Sequence, residues 1–242
     1  MILVNNLLVY LETQKQINFN NIMIYQPSLN DILDYDIDKF NILLLPFLLD
    51  IDDFEIQDKS AIENISMFEI LLLNKDTFSF LLNSLSYFCH TDKISFDEQK
   101  GNLYIGDGYI NKENFADFAN IILQINAKQK PKKEKPPENM TQKQKDIWEK
   151  LQKGRQRQAE KTQIDLVDLI NTCQFGGEYY IPIEDISKMT LWNISRCYKT
   201  ILGKSTFNES FEIYCVTGEE KLIKNRHWTD LIKVNNNKEE IL

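Results

Sequence analysis

The stretch Gln16-Ile-Asn-Phe-Asn-Asn-Ile-Met-Ile-Tyr25 decides the fold of the first half of the chain. Apolar residues occupy alternate positions on both sides of Asn20-Asn21, and this spacing predicts a β-hairpin with one buried face. Ser28, with Asp31 three residues later, is typical of a helix N-terminus. Helix faces are then predicted at Leu29, Ile32, Leu33, Phe40 and around Leu43, with an interruption at Pro46.

Further along, the pattern of a hairpin recurs between two helical stretches. Strands are predicted at 93–98 and 102–107 on either side of Gln99-Lys100-Gly101. Apolar residues at intervals of three and four predict a helix over 62–72, Asp76-Thr77 can cap the next one, and Asn111 or Asn114 opens another. Residues 1–126 are therefore predicted to form an α+β domain of two hairpins plus helices.

Charge changes sign after this domain. Residues 1–126 hold 7 Lys/Arg and 19 Asp/Glu, residues 127–163 hold 12 and 5, and residues 164–242 hold 9 and 12. The prolines and lysines of 128–137 predict an extended basic spacer, and Thr141 with Gln144 forms a capping box for a mostly polar helix. Residues 127–163 are thus a predicted basic linker and exposed helix.

The rest of the chain predicts a small all-α domain over 164–234 and a frayed tail over 235–242. One apolar stripe runs from Leu166 to Cys173 and another from Leu191 to Leu202, with Gly203 as a left-handed cap. Thr206 with Glu209 suggests a further helix with a buried face at Phe207, Phe211, Tyr214 and Cys215, ending at Gly218.

Composition excludes several classes of protein. The longest apolar run, 42–49, is far shorter than the roughly 18 residues that a membrane span requires, and the chain begins without a basic signal region. Four cysteines without CxxC spacing favour reduced, buried thiols and a cytoplasmic location.

Motifs that could carry chemistry are incomplete. Gly203-Lys204-Ser205 lacks the upstream glycine of a phosphate loop, and the aspartates at 34, 36 and 38 and at 50, 52 and 53 lack the Gly and Glu of a calcium loop. Two histidines cannot complete a zinc site of normal spacing. Asp92, Glu98 and Lys100 could act in a metal-dependent nuclease, but an exposed turn explains them better. We predict no catalytic residue, metal or cofactor.

Two kinds of binding surface remain. Partner anchors are predicted at Trp148, Leu151, Trp192 and Trp228, because tryptophan is enriched at binding hot spots. For Trp192, core packing is an equally good explanation. The alternative is a nucleic-acid-associated protein that binds phosphates through the basic segment 128–161, at Lys132, Lys133, Lys153, Arg155 and Arg157.

Several stretches together resemble tail-assembly chaperone-like proteins of long-tailed phages of Firmicutes, which are encoded upstream of the tape measure protein. The resemblance covers most of the chain in the order of its elements, and it contains no catalytic fingerprint. Its carriers are Ile24-Tyr-Gln-Pro-Ser-Leu-Asn-Asp-Ile32, Tyr109-Ile-Asn-Lys-Glu-Asn-Phe-Ala-Asp-Phe118, Asp146-Ile-Trp-Glu-Lys-Leu-Gln-Lys-Gly-Arg-Gln-Arg157, Ile183-Glu-Asp-Ile-Ser-Lys-Met-Thr-Leu-Trp192 and Lys224-Asn-Arg-His-Trp228.

This resemblance implies a non-enzymatic chaperone that keeps the phage tape measure protein soluble until the tail tube forms around it. It places the protein in the cytoplasm of the infected bacterial host. The tail tube protein and a second copy of this chain are further expected partners, and a membrane is not. Physically, two units on a basic tether could cover successive apolar segments of a helical client through several weak contacts.

Overall fold

A computed structural model describes residues 4–54, 65–130, 140–162, 164–218 and 227–230. The chain is α+β and mostly helical, with two small sheets followed by a helical C-terminal region. In chain order the elements are α1 (Val4–Thr13), β1 (Ile17–Phe19), β2 (Ile22–Ile24), α2 (Leu29–Tyr35), α3 (Ile37–Leu48), a 3₁₀ turn (Ile51–Asp53), α4 (Met67–Leu73), α5 (Lys75–Cys89), β3 (Ile94–Asp97), β4 (Asn102–Ile105), β5 (Gly108–Ile110), α6 (Phe115–Ile125), α7 (Gln142–Thr162), α8 (Leu166–Phe175), α9 (Ile183–Ile186), α10 (Leu191–Thr217) and a 3₁₀ turn (Trp228–Asp230).

The first hairpin is confirmed in its turn and register. Strands β1 and β2 pair antiparallel, with Ile17 opposite Ile24 and Phe19 opposite Ile22. Asn20 and Asn21 both have positive φ, 49° and 67°, which is the geometry of a two-residue turn that asparagine tolerates. The four apolar side chains are buried on one face, as the alternation predicts.

The second sheet has one strand more than predicted. Strands β3 and β4 form the expected hairpin, and β5 pairs antiparallel with β4. Gly108 in β5 lies directly against the turn of the first hairpin. A Cβ atom there would lie 2.5 Å from Ile22 Cγ1 and would collide with the carbonyl oxygen of Asn20. The two sheets therefore pack at a point where a side chain does not fit.

Phenylalanine rings fill the main core. Phe47 lies 6.2 Å from Phe88 and 6.1 Å from Phe118 between ring centroids, and Phe19 of the first hairpin meets Phe118 at 5.6 Å. These rings come from α3, α5, α6 and β1, so the hairpin and the helices share one core. Leu11 of α1, a helix that the sequence analysis does not predict, is also buried there.

Three helix boundaries differ from the prediction. Helix α4 begins at Met67, because the Ser66 side chain caps it there, so Ile65 lies before the helix. Helix α3 continues to Leu48, because Pro46 lies in its last turn and its missing N–H removes a single internal hydrogen bond. Helix α5 begins at Lys75, since the Asn74 side chain accepts a hydrogen bond from the Asp76 N–H and caps the helix before Asp76-Thr77. The predicted Ser28–Asp31 capping box is confirmed.

The C-terminal region contains one long helix where two were predicted. Gly203 is buried inside α10 and does not adopt positive φ, so it is not a cap. Ser205 donates a hydrogen bond to Glu209 at 3.0 Å, one helical turn away, so the predicted Thr206–Glu209 capping box is wrong. Gly218, with φ of 71°, ends the helix as predicted.

Two backbone hydrogen bonds join the C-terminal helices to the start of helix α2, within the predicted domain 1–126. The N–H of Leu29 donates to the carbonyl of Met189 at 2.8 Å, and the N–H of Asn30 donates to Ser187 at 2.9 Å. Leu29 packs in a second apolar cluster with Cys173, Ile186, Ile194 and Tyr198. Conversely, Trp192 of helix α10 has its side chain buried in the main core.

Parts of the predicted organisation lie outside the described residues, including 131–139 of the spacer, the tail 235–242 and Ile62. The domain boundaries themselves stay a prediction. Every helix in the described part of the chain is too short or too polar to cross a bilayer.

Candidate partner-binding surface

Helix α7 presents a small apolar patch on an otherwise polar surface. The predicted capping box forms at its start, where the Thr141 N–H donates to Gln144 Oε1 at 2.8 Å. Ile147 and Leu151, one turn apart, are half exposed or more, and Trp148 between them is partly buried. We call these three residues the α7 patch. Among the described elements none packs substantially against α7, so this patch is available to a partner.

The second half of α10 carries a larger apolar surface. Phe211 is 48% exposed, and Ile213 and Val216, which are 50% and 87% exposed, lie on the opposite side of the helix. The Phe207 and Phe211 rings stack with centroids 6.2 Å apart, and Tyr214 continues the row. The predicted burial of this face is therefore wrong for Phe211 and for the exposed Cys215, although the turn Trp228–Asp230 packs against another part of α10.

Trp228 joins this row of rings. His227 lies 6.0 Å from Phe207 and 5.3 Å from Trp228 between ring centroids, and Lys204 Nζ lies 5.2 Å above the Trp228 ring. A cation at this distance from an indole face is attracted by its quadrupole. We call the row formed by Phe207, Phe211, Tyr214, His227 and Trp228 the aromatic ridge. Trp228 is partly buried.

The structure separates Trp192 from the other predicted anchors. Its side chain is 4% exposed and packs in the main core, where it cannot reach a partner. Its indole N–H has no hydrogen-bond partner among the described residues. Of the two explanations that the sequence allowed, core packing is confirmed.

The predicted phosphate-binding residues are divided between described and undescribed parts of the chain. Lys132 and Lys133 lie outside the described residues, and the side chain of Arg157 does as well. Lys153 and Arg155 are exposed on α7. Positions 153 and 157 share one face of a helix, while position 155 points away from it. Phosphate binding by this segment stays a prediction.

Side chains in the candidate chemical motifs have structural partners. Asp36 caps α3, and Asp50 with Asp53 caps the first 3₁₀ turn. Lys100 pairs with Asp97 at 3.6 Å in the exposed turn of the second hairpin, and Asp92 accepts a hydrogen bond from Ser86 at 2.8 Å. Within the described ranges, no group of three or more His, Cys, Asp or Glu side chains could hold a metal ion.

One pair of cysteines has unusual chemistry. The single S–H proton of Cys173 can be donated either to the carbonyl of Ile194, at 3.5 Å, or to Cys197. A hydrogen bond from Cys173 lowers the pKa of Cys197 to about 7. By contrast, burial raises the pKa of Cys89 to about 12. Cys89 is a buried thiol, as the sequence predicts. Cys197 is instead partly accessible, and its lowered pKa makes it easier to ionise.

The sequence pattern predicts most of the aromatic ridge as a buried helix face and does not show that it is exposed. Phe207, Phe211 and Tyr214 repeat at intervals of three and four, and the same pattern describes both a buried helix face and an uncovered one.

Comparison with protein-family models, curated proteins and solved structures gives no match to this chain.

Proposed function

We propose that this chain is a non-enzymatic chaperone that binds an amphipathic helix of a partner, the phage tape measure protein. The observation that carries the proposal is the row of rings on one face of α10, Phe207, Phe211 and Tyr214, supported by the α7 patch. Exposed apolar patches of this kind mark sites of protein association.

The shape of these surfaces fits a helical client. Both lie on helices longer than 20 residues. A straight apolar row along a helix matches the apolar stripe of another helix through side chains spaced at three and four residues. Covering a half-exposed Phe or Leu contributes roughly 1 kcal/mol or more, so several such contacts give useful affinity.

The proposed role places the complex in the cytoplasm of the infected bacterial host, before the tail tube closes around the tape measure protein. A contact made of apolar side chains resists salt, whereas attraction to the basic segment 128–161 weakens steeply as salt rises. Salt therefore separates the proposed function from nucleic-acid binding.

The test is co-expression with the phage tape measure protein, followed by size exclusion at low and high salt. We expect a soluble complex that persists at high salt, and we expect Phe207→Ser with Phe211→Ser to abolish it. Val9→Ser, which changes a valine that is 60% exposed on α1, is the matched control and should leave the complex intact.

Two results would overturn the proposal. The first is a partner that stays insoluble with the unchanged chain. The second is co-elution of nucleic acid alone, removed by salt, which would favour the nucleic-acid alternative.

A further inference from the structure

Two cysteines from different helices meet in the C-terminal region. Cys173 on α8 is fully buried, whereas Cys197 on α10 is partly accessible. The Cys173 sulfur lies 3.5 Å from the carbonyl oxygen of Ile194, which is about one helical turn before Cys197, and the two thiols are within hydrogen-bond reach of each other. The proposed contact with a helical client involves neither thiol.

Close packing of α8 against α10 holds this pair of thiols together. A Cβ atom on Gly176, at the end of α8, would lie 3.3 Å from Ile201 Cγ2. Gly176 follows Cys173 by about one helical turn, and Ile201 follows Cys197 by the same interval, so the two helices touch beyond the thiols as well as beside them. Cys173 and Cys197 also pack in one apolar cluster. The fold therefore keeps the two sulfur atoms next to each other.

The two thiols differ in access to solvent and in acidity. Solvent reaches Cys197 but not Cys173, and a hydrogen bond from Cys173 lowers the pKa of Cys197 to about 7. A thiolate accepts a hydrogen bond more strongly than a carbonyl does, so ionisation of Cys197 draws the Cys173 proton away from Ile194. An accessible thiol of low pKa beside a second thiol is the arrangement of a redox-sensing site.

The two other cysteines do not share this arrangement. Cys89 is buried in the main core, which is a different cluster from the one that contains Cys173, and burial raises the pKa of Cys89 to about 12. Cys215 is exposed near the far end of α10, about 27 Å from Cys197 along the helix axis. Cys173 is therefore the thiol that can react with an oxidised Cys197.

We infer that Cys197 is an oxidation site for a hydroperoxide and that Cys173 converts the product into an intramolecular disulfide. The Cys197 thiolate attacks one peroxide oxygen, so that an S–O bond forms and the O–O bond breaks. The sulfur is oxidised to a sulfenic acid, and the released hydroxide takes up a proton to become water. The Cys173 sulfur then attacks the Cys197 sulfur, an S–S bond forms, and the hydroxyl group leaves as water with the Cys173 proton.

This disulfide ties α8 to α10 and closes a loop that contains α9. Ser187 and Met189 in the loop accept the backbone hydrogen bonds from the start of α2. In the oxidised chain, the segment that contacts α2 is therefore held between two covalently linked helices. A dithiol reverses the step by thiol–disulfide exchange, in which its own sulfur atoms are oxidised.

The test treats the purified, reduced full chain with a small excess of hydrogen peroxide at pH 7. Free thiols are then blocked with iodoacetamide in urea, and the peptides are mapped by mass spectrometry. We expect a peptide pair linked through Cys173 and Cys197 that dithiothreitol separates. Alkylation of both residues after peroxide treatment would overturn the inference, and so would disulfides formed mainly through Cys89 or Cys215. No partner protein is present, so the result is independent of the tape measure protein.

Matched variants separate the roles of the two thiols. In Cys173→Ala, oxidation of Cys197 should stop at the sulfenic acid, so we expect labelling of Cys197 by dimedone to rise about fivefold or more over that of the unchanged chain. Cys215→Ser changes the exposed cysteine and is the control, which should form the disulfide at an unchanged rate. Equal dimedone labelling of Cys197 with and without the Cys173 thiol would overturn the role of Cys173.

Unfolding removes the geometry and keeps the sequence. In urea we expect the Cys173–Cys197 disulfide to form about fivefold more slowly or less, because the hydrogen bond between the thiols and their fixed proximity are both lost. An equal rate in the folded and the unfolded chain would show that the fold does not favour this pair, and it would overturn the inference.

Discussion

Replacing Trp192 by alanine tests whether the C-terminal helices share a core with the predicted domain 1–126. A tryptophan buries about 150–250 Å² of surface, and Trp192 is 4% exposed, so its removal forfeits about 5 kcal/mol at 25 cal/mol per Å². The unpaired indole N–H offsets about 1–3 kcal/mol of this, because its desolvation cost disappears with it. We expect a loss of about 3 kcal/mol in the free energy of unfolding.

The assay is urea unfolding followed by far-UV circular dichroism, since fluorescence would change with the number of tryptophans. Trp148→Ala is the control, with an expected change within about 0.5 kcal/mol, because no described element packs substantially against α7. Trp192→Phe removes the unpaired N–H while keeping most of the ring, and should cost about 1 kcal/mol. Equal stability of the two alanine variants would refute the placement of Trp192 in the core.

Two other changes follow from local geometry. Gly108→Ala should destabilise the chain by about 3 kcal/mol in the same urea assay, because the added Cβ collides with the turn of the first hairpin. In the control Gly154→Ala on α7, the added Cβ meets nothing within 4 Å, and the change should stabilise the helix by up to about 1 kcal/mol. Cys173→Ala should slow the alkylation of Cys197 by iodoacetamide at pH 7 about fivefold. A pKa restored to near 9 lowers the thiolate fraction of Cys197 more than it raises the nucleophilicity of the thiolate. Mass spectrometry of the modified peptide measures the rate, and an unchanged rate would contradict the hydrogen bond from Cys173 to Cys197.

Features that depend on a few neighbouring residues were predictable from the sequence. The Asn20-Asn21 turn and the Ser28 and Thr141 capping boxes form as expected, because each is satisfied by backbone groups within three residues. Helix continuation was harder to predict. Gly203 and Pro46 both weaken a helix locally, yet both helices continue through them, because packing of the helix face outweighs an intrinsic cost of this size.

Long-range placement could not be predicted from a single sequence. The burial of Trp192 depends on its meeting a core more than 60 residues before it in the chain. The exposure of Phe211 depends on the absence of a described element over it. The contact between Tyr35 and Tyr87 has the same origin, because these residues meet only when the fold brings α2 and α5 together.

The junction between Leu29 and Met189 sets an order of events during synthesis. Residues 29 and 189 are about 160 positions apart, so at roughly 5–20 residues per second the ribosome needs about 8–32 s to supply the partner of the Leu29 N–H. During this interval Leu29 lacks the cluster that buries it. Helix α2 therefore reaches its final position late in translation.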